Sequence, residues 1–155
     1  RQTSFGQYRA YSLVINGRGT KMIRIKIVPN DIKTVAKVVL IDQKDRVLFL
    51  KRSDYMEKYA GDWDLPGGHL KANETLEAGL CRETKEETQL DVREPVFVLK
   101  IDNLHFFYAM YDSQEVKLSH EHTDYKFFEK NELNPNHKFQ NVAIKALKKR
   151  ELEND

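Results

Sequence analysis

Short runs of apolar residues predict a chain rich in β-strands. Residues 35–41 and 47–51 are apolar runs separated by a polar turn, which is typical of two paired strands. Residues 92–100 and 105–111 form a second pair around Asp102-Asn103. Shorter strands are predicted at 63–65, 115–118 and 125–128, with Pro66-Gly67-Gly68 ending the first of these.

Two stretches have the composition and spacing of helices. Residues 74–88 are rich in strong helix formers, and Asn73 is the expected cap. Residues 137–152 predict a basic amphipathic helix. Its apolar side carries Phe139, Val142, Ile144 and Leu147. Runs of strands with two dispersed helices favour an α+β fold, an α/β/α sandwich with a mixed β-sheet.

The N-terminal residues predict a separate β-hairpin. Two β-rich runs, 12–15 and 22–28, flank Asn16-Gly17, which is a strong hairpin signal. We therefore expect a single domain over residues 1–155. Within it we expect a hairpin extension at 1–30, a core at 35–133 and a C-terminal helix at 137–152.

Charge and composition exclude some classes of function. The 155 residues include 26 basic and 24 acidic side chains, a net charge of +2, which argues against a dedicated nucleic-acid or anionic-membrane surface. The apolar runs are too short to span a bilayer. Cys81 is the single cysteine, so no intrachain disulfide can form, and we expect a cytoplasmic protein.

The first helix places carboxylates where apolar side chains are expected. With Leu76 at zero, Leu80 lies at about 40° around the helix axis. Glu83 and Glu87 fall at about −20° and +20°, and Glu86 at about −80°. Three carboxylates within two turns repel one another, and partial burial adds to that cost. Either the face is simply solvated, or a hard divalent cation such as Mg²⁺ or Mn²⁺ offsets the repulsion.

The loop before this helix favours the metal. Pro66-Gly67-Gly68 lets the backbone approach a phosphate or a metal closely, because glycine has no Cβ. The spacing from this loop through the helix resembles the box of the Nudix hydrolase family. A random match to its six defining positions is on the order of one in ten million per starting point. The six matching residues are Gly68, Glu74, Arg82, Glu83, Glu86 and Glu87.

The chain departs from the family pattern at two positions. Thr84 stands where an aliphatic residue is usual and keeps one methyl for packing. Gln89 stands where Gly is usual, at a helix end where positive φ is expected, at a cost of about 1 kcal/mol. Downstream, Glu121-His122 with Phe127 resembles a family segment that carries Trp at the last position. The resemblance covers about residues 35–133.

The resemblance implies a metal-dependent hydrolase that cleaves the diphosphate linkage of a nucleoside diphosphate joined to another group. Its implied metal ligands, for Mg²⁺ or Mn²⁺, are the Gly68 carbonyl, Glu83, Glu86 and Glu87. Arg82 would pair with Glu74 and orient a box glutamate. Glu83 and Glu121 are the two candidates for the catalytic base. An ADP-ribose-like nucleotide is the substrate class we favour, and capped RNA stays open.

Other features keep two interpretations. Trp63 either stacks on a base or packs beside its turn. Cys81 is expected to be a helix contact, and the basic residues 145–150 to be a solvated face. The hairpin either mediates a homodimer or shapes the nucleotide pocket. Two other functions remain alternatives: an isopentenyl-diphosphate-type isomerase, which needs a catalytic cysteine, and a non-catalytic nucleotide-binding regulatory module.

Overall fold

The computed structural model describes residues 34–56 and 59–154 with their side chains, and three N-terminal strands by their backbone. The chain divides into two compact units, Arg1–Lys33 and Thr34–Asp155. The boundaries that we expect for the domain and its N-terminal extension stay predictions. None of the helices in the described part of the chain is long and apolar enough to cross a membrane.

The first unit contains an antiparallel sheet of three strands in the order β1-β2-β3. The strands are β1 (Thr3–Phe5), β2 (Tyr8–Val14) and β3 (Thr20–Lys26). Strands β2 and β3 pair along their full length, from Tyr8 with Lys26 to Val14 with Thr20. This is the expected hairpin, and β1 adds a strand that was not anticipated. The Asn16-Gly17 turn that we predict between β2 and β3 lies outside the described residues.

The second unit is built on a mixed seven-stranded sheet with the central order β10-β5-β4-β9-β8. Its strands are β4 (Val35–Ile41), β5 (Val47–Arg52), β6 (Trp63–Asp64), β7 (Gly67–His69), β8 (Val96–Ile101), β9 (Leu104–Met110) and β10 (His122–Phe128). Strands β4 and β9 are parallel, and the other pairs are antiparallel. The short strands β6 and β7 pair with β5 and β4.

One helix covers each face of this sheet. Alternate residues of β4 point to opposite faces, as the pleat requires. Val39 and Ile41 join the cluster that contains Val142 of helix α2 (Lys138–Glu153). Val38 joins the cluster that contains Leu80 of helix α1 (Leu76–Thr88). The α/β/α sandwich with a mixed sheet is therefore confirmed.

Two local predictions were wrong. Thr75, not Asn73, caps α1, and its hydroxyl accepts a hydrogen bond from the Ala78 amide (3.1 Å). Asn73 instead has a positive φ of 68° and belongs to the turn before the helix. Residues 115–118 form no strand, because the segment bonds to the end of α1. The amide of Lys117 donates to the carbonyl of Thr88 at 2.9 Å.

The short strand expected at 63–65 ends before Pro66, as predicted, and a second short strand that was not predicted begins at Gly67. Gly67 and Gly68 belong to β7 and pair with Lys37 and Ala36 of β4. Gly67 has φ +126°, and a Cβ there would lie 2.1 Å from the carbonyl oxygen of Ala36. Only glycine tolerates both conditions at position 67, so Gly67 can begin a strand that lies directly against β4.

Candidate active site

Helix α1 follows β7 (Gly67–His69), here called the glycine strand, and ends where expected. Gln89 has φ 62° and ψ 14°, the left-handed conformation expected at this position, and its amide donates to the carbonyl of Lys85. Thr84 is fully buried. Its hydroxyl has no hydrogen-bond partner within the described residues. Both departures from the family pattern therefore affect packing and helix termination.

Glu87 is the buried carboxylate of the site, with 5% of its surface exposed. One of its oxygens, Oε2, accepts a hydrogen bond from the amide of Gly67 at 3.3 Å. Burial raises the pKa of Glu87 to about 8. The charge of Lys37 opposes this rise, and those of Asp64 and Glu121 add to it. The metal-free protein therefore holds this carboxyl largely protonated near neutral pH.

Glu83 lies directly against Gly68. A Cβ at Gly68 would be 2.6 Å from Oε2 of Glu83, so the absence of a side chain there is what admits the carboxylate. Glu83 is half-buried, whereas the side chain of Glu86 is 56% exposed. The three glutamates thus run from the buried floor at Glu87 to the surface, as the helical angles indicated.

Arg82 connects the carboxylates of the site. Its guanidinium contacts Glu74 (2.7 Å), Glu83 (3.0 Å) and Glu86 (3.2 Å), so the expected pair with Glu74 is present. It also donates to the carbonyl of His69 at 3.1 Å. The hydrogen bond from Arg82 lowers the pKa of Glu74 to about 2, and the same bond raises the pKa of Arg82. Arg82 therefore keeps Glu74 ionised and orients Glu83 and Glu86.

Glu121 approaches the same site from the segment before β10. The amide of Ser53 donates to the carbonyl of Glu121 at 2.9 Å. The hydroxyl of Ser53 donates to the carbonyl of His120 at 2.7 Å. The amide of Ser119 donates to the carbonyl of Glu87 at 3.0 Å, which ties the segment to α1. The half-buried Glu121 thus lies close enough to Glu87 for its charge to raise the pKa of that carboxyl.

A buried ion-pair cluster beside the site was missed from the sequence. Lys37, 8% exposed, contacts Asp64 at 2.9 Å and the carbonyl of Leu65 at 3.0 Å. Arg52 donates to the other oxygen of Asp64 at 3.3 Å. The imidazole of buried His122 lies 3.9 Å from that oxygen. The signal was a lysine inside the apolar run 35–41, because a buried lysine requires a partner.

The remaining candidates lie in ordinary packing environments. Trp63 is half-buried and meets Phe128 edge to face, with ring centroids 5.4 Å apart. The thiol of Cys81 contacts the carbonyl of Val92 at 3.6 Å. Burial raises the pKa of Cys81, which disfavours the thiolate that a nucleophile needs. His69 is exposed.

The donor chemistry at this site fits a hard divalent cation. Its side chains are carboxylates, and Gly68 places backbone without a side chain beside Glu83. Within residues 34–56 and 59–154, no three acidic, histidine or cysteine side chains already form a complete ligand group. Arg82 is bonded to both Glu83 and Glu86 in this state. The ligand assignment therefore stays a prediction.

Comparison with known proteins gives the family. The family model described as NUDIX domain matches residues 32–149. An ADP-ribose pyrophosphatase of Methanocaldococcus jannaschii is 34% identical over 77 residues, 50% of this chain and 42% of that protein. An 8-oxo-dGTP diphosphatase of Proteus vulgaris is 37% identical over 60 residues, 39% of this chain and 53% of that protein. The alignments thus span about half or less of these curated relatives.

A solved structure extends the similarity over most of the core. The crystal structure of a MutT protein from Methanosarcina mazei Go1 aligns with a TM-score of 0.58 and 25% sequence identity. That alignment covers 79% of this chain and 95% of the other. Together with the family model, which spans well over half of the residues, these similarities show that the chain belongs to the NUDIX domain family.

Proposed function

We propose that this protein is a metal-dependent pyrophosphohydrolase that cleaves the diphosphate linkage of a nucleoside diphosphate joined to another group. One observation carries the proposal. A buried carboxylate, Glu87, faces the glycine strand beside two carboxylates that Arg82 holds, Glu83 and Glu86. A solvated acidic helix face would not bury one of its members at 5% exposure.

We assign Mg²⁺ or Mn²⁺ to this cluster, held by Glu83, Glu86, Glu87 and the carbonyl of Gly68. A bound divalent cation would neutralise phosphate oxygens and lower the pKa of a coordinated water. Glu87 must give up its proton to become a ligand, because its pKa of about 8 keeps it protonated near neutral pH. Arg82 and Glu74 keep the neighbouring carboxylates in place during this change.

For the catalytic base we retain two candidates, Glu83 and Glu121. Glu83 lies against Gly68, whereas Glu121 lies in the segment before β10, where its charge acts on Glu87. A base removes a proton from the attacking water, so its loss lowers kcat more than it raises KM. Comparing Glu121→Gln with Glu83→Gln by this split assigns the role. If a residue serves mainly as a metal ligand, its replacement instead weakens Mn²⁺ binding.

For the substrate we infer an ADP-ribose-like nucleotide, and the sequence similarities support this choice. The similarity to an ADP-ribose pyrophosphatase covers 50% of the chain, against 39% for the 8-oxo-dGTP diphosphatase. We therefore rank ADP-ribose first and 8-oxo-dGTP second. Trp63 remains our candidate for base stacking, and its edge contact with Phe128 leaves it half-buried. Trp63→Leu should raise KM if the ring touches substrate.

The decisive experiment measures turnover with and without Mg²⁺ or Mn²⁺ on a panel of nucleotides that includes ADP-ribose, 8-oxo-dGTP and capped RNA. Mass spectrometry identifies the products. We expect wild type to cleave at least one substrate only with metal, and Glu87→Gln to lose about 100-fold or more in kcat. Glu77→Gln is the matched control, because Glu77 lies exposed in the first turn of the same helix.

Two results would refute the proposal. One is equal turnover by wild type and Glu87→Gln, and the other is no turnover of any substrate. Nucleotide binding without a metal requirement, measured by calorimetry, would instead identify a non-catalytic binding module.

A further inference from the structure

Lys37 is a charged residue in the centre of an otherwise apolar strand. All seven residues of β4 are buried, and Lys37 pairs with Gly67 of the glycine strand. Desolvating an ammonium is costly unless it is paired and hydrogen-bonded. Here Nζ contacts Oδ1 of Asp64 at 2.9 Å and donates to the carbonyl of Leu65 at 3.0 Å.

Asp64 collects contacts from several elements at one point. Its Oδ1 also accepts the amide of Leu65 at 2.8 Å. Its Oδ2 accepts a hydrogen bond from Arg52 of β5. Burial alone would raise the pKa of Asp64, but Lys37 and its other partners hold that pKa below the ordinary value. Asp64 is thus a permanent carboxylate that fixes the backbone at Leu65.

The two residues that follow Leu65 and Pro66 are the glycines of the site. The carbonyl of Pro66 accepts the amide of Val38 at 2.9 Å, one residue beyond Lys37. The side chain of Lys37 therefore holds Leu65, and the backbone of β4 holds Pro66 and the two glycines. This arrangement leaves the segment 65–68 little freedom to shift relative to α1.

We propose that Lys37 is a positioning residue, which uses its bonds to Asp64 and to the Leu65 carbonyl to hold Gly67 and Gly68 in register with the carboxylates of α1. The inference rests on the proposed metal-dependent activity and adds the residue that positions the backbone of the site. Lys37 is not among the residues that we assign to the metal or to the catalytic base. Residues that orient a metal's ligands change affinity or activity by about 10–100-fold when they are removed.

The test uses the full chain and three measurements. Electron paramagnetic resonance gives the dissociation constant for Mn²⁺, steady-state kinetics gives kcat and KM, and hydrogen exchange gives the opening of the amides in segment 65–68. For Lys37→Met we expect a Kd for Mn²⁺ raised about tenfold or more. We also expect faster exchange at Gly67 and a loss confined mostly to kcat.

Two controls separate positioning from general stability. Lys126→Met removes a lysine that pairs with Glu132 on the exposed surface, at 2.6 Å, and should leave all three measurements unchanged. Leu147→Ala opens the core on the α2 face, in the cluster that also contains Leu65, and destabilises the protein while the bonds of Lys37 to Asp64 and to the Leu65 carbonyl stay in place. It should lower the melting temperature but leave the Kd for Mn²⁺ within about twofold of wild type.

A double variant covers the case in which Lys37→Met folds poorly. Lys37→Met with Asp64→Asn removes both buried charges, which is often tolerated, and keeps an acceptor for the Leu65 amide. We expect its stability to recover while its Kd for Mn²⁺ stays raised. If the double variant recovers its stability and its Kd for Mn²⁺ also returns to that of wild type or of Leu147→Ala, the inference is overturned. Absence of Mn²⁺ binding by wild type refutes the proposed activity itself and this inference with it.

Discussion

The side chain of Thr84 carries a structural cost that can be measured. It is fully buried, and its hydroxyl has no partner in the described part of the chain. Thr84→Val removes the hydroxyl and retains the branched shape. We predict a gain of about 1 kcal/mol in the free energy of unfolding, measured by urea denaturation.

Thr88 provides a matched control one turn later on the same helix. It is also fully buried, but its hydroxyl donates to the carbonyl of Thr84 at 2.7 Å and accepts the amide of Leu90 at 3.2 Å. Thr88→Val should therefore destabilise the protein by about 1 kcal/mol or more. If both variants shift stability in the same direction, the hydrogen-bond argument is wrong.

Because Glu87 is buried, we predict that the stability of the metal-free protein falls as the pH rises. Its folded pKa is about 8 against an ordinary 4.5, so between these values the folded state binds more protons than the unfolded state. Stability therefore falls as pH rises from 5 to 8, by at most about 1.4 kcal/mol per pH unit from this group. Denaturation in the presence of a chelator measures the slope.

The comparison with Glu87→Gln isolates the contribution of this carboxyl. The variant cannot titrate at position 87, so its slope should be flatter than that of wild type over the same pH range. Asp64 and Glu74 have lowered pKa values, so they change the stability in more acidic solution and not between pH 5 and 8. Mn²⁺ should bind wild type more tightly as pH rises, because binding displaces the proton. Identical slopes would contradict the burial argument.

The end of helix α1 shows how one residue limits the stability of an element. Gln89 holds a left-handed conformation with φ 62°, which glycine adopts without a Cβ penalty. Gln89→Gly should raise the free energy of unfolding by about 0.5–1 kcal/mol. Gln89→Ala should leave stability nearly unchanged, because alanine keeps the penalty. Thermal and urea denaturation of the three proteins test this order.

Most elements could be predicted because local patterns determine them. Strand β4 occupies the predicted residues, and α2 begins within one residue of the predicted start. The strand predicted at 115–118 is absent because the amide of Lys117 donates to the carbonyl of Thr88 in α1, a tertiary contact that periodicity does not encode. The cap was misplaced because Asn73 suits both an N-cap and a left-handed turn, and the structure uses the second.

The candidate site divides in the same way. The carboxylates of α1 could be placed from helical angles, and the pairing of Arg82 with Glu74 from the family pattern. The ion pair of Lys37 and Asp64 could not, because it joins residues 27 positions apart on different strands. A lysine in a buried strand signals that some partner exists, but sequence spacing does not say which one.

At the scale of the whole molecule, the residues that we assign to the site all belong to the second unit. Both apolar clusters are formed by its residues, one on each face of the seven-stranded sheet. Every residue that we assign to the metal, to the catalytic base and to positioning lies between Lys37 and Glu121. The three-stranded sheet of the first unit contributes no residue to these assignments.

We therefore predict that the fragment 34–155 folds alone. It should unfold in one cooperative transition, and its Kd for Mn²⁺ should stay within about twofold of the full chain, because every residue that we assign to the metal belongs to the second unit. KM then reports on residues 1–33. An unchanged KM for the best substrate limits them to other roles, such as dimerisation, whereas a raised KM assigns them to the nucleotide pocket. A fragment without a cooperative transition, or with weakened Mn²⁺ binding, would show that the core depends on the first unit.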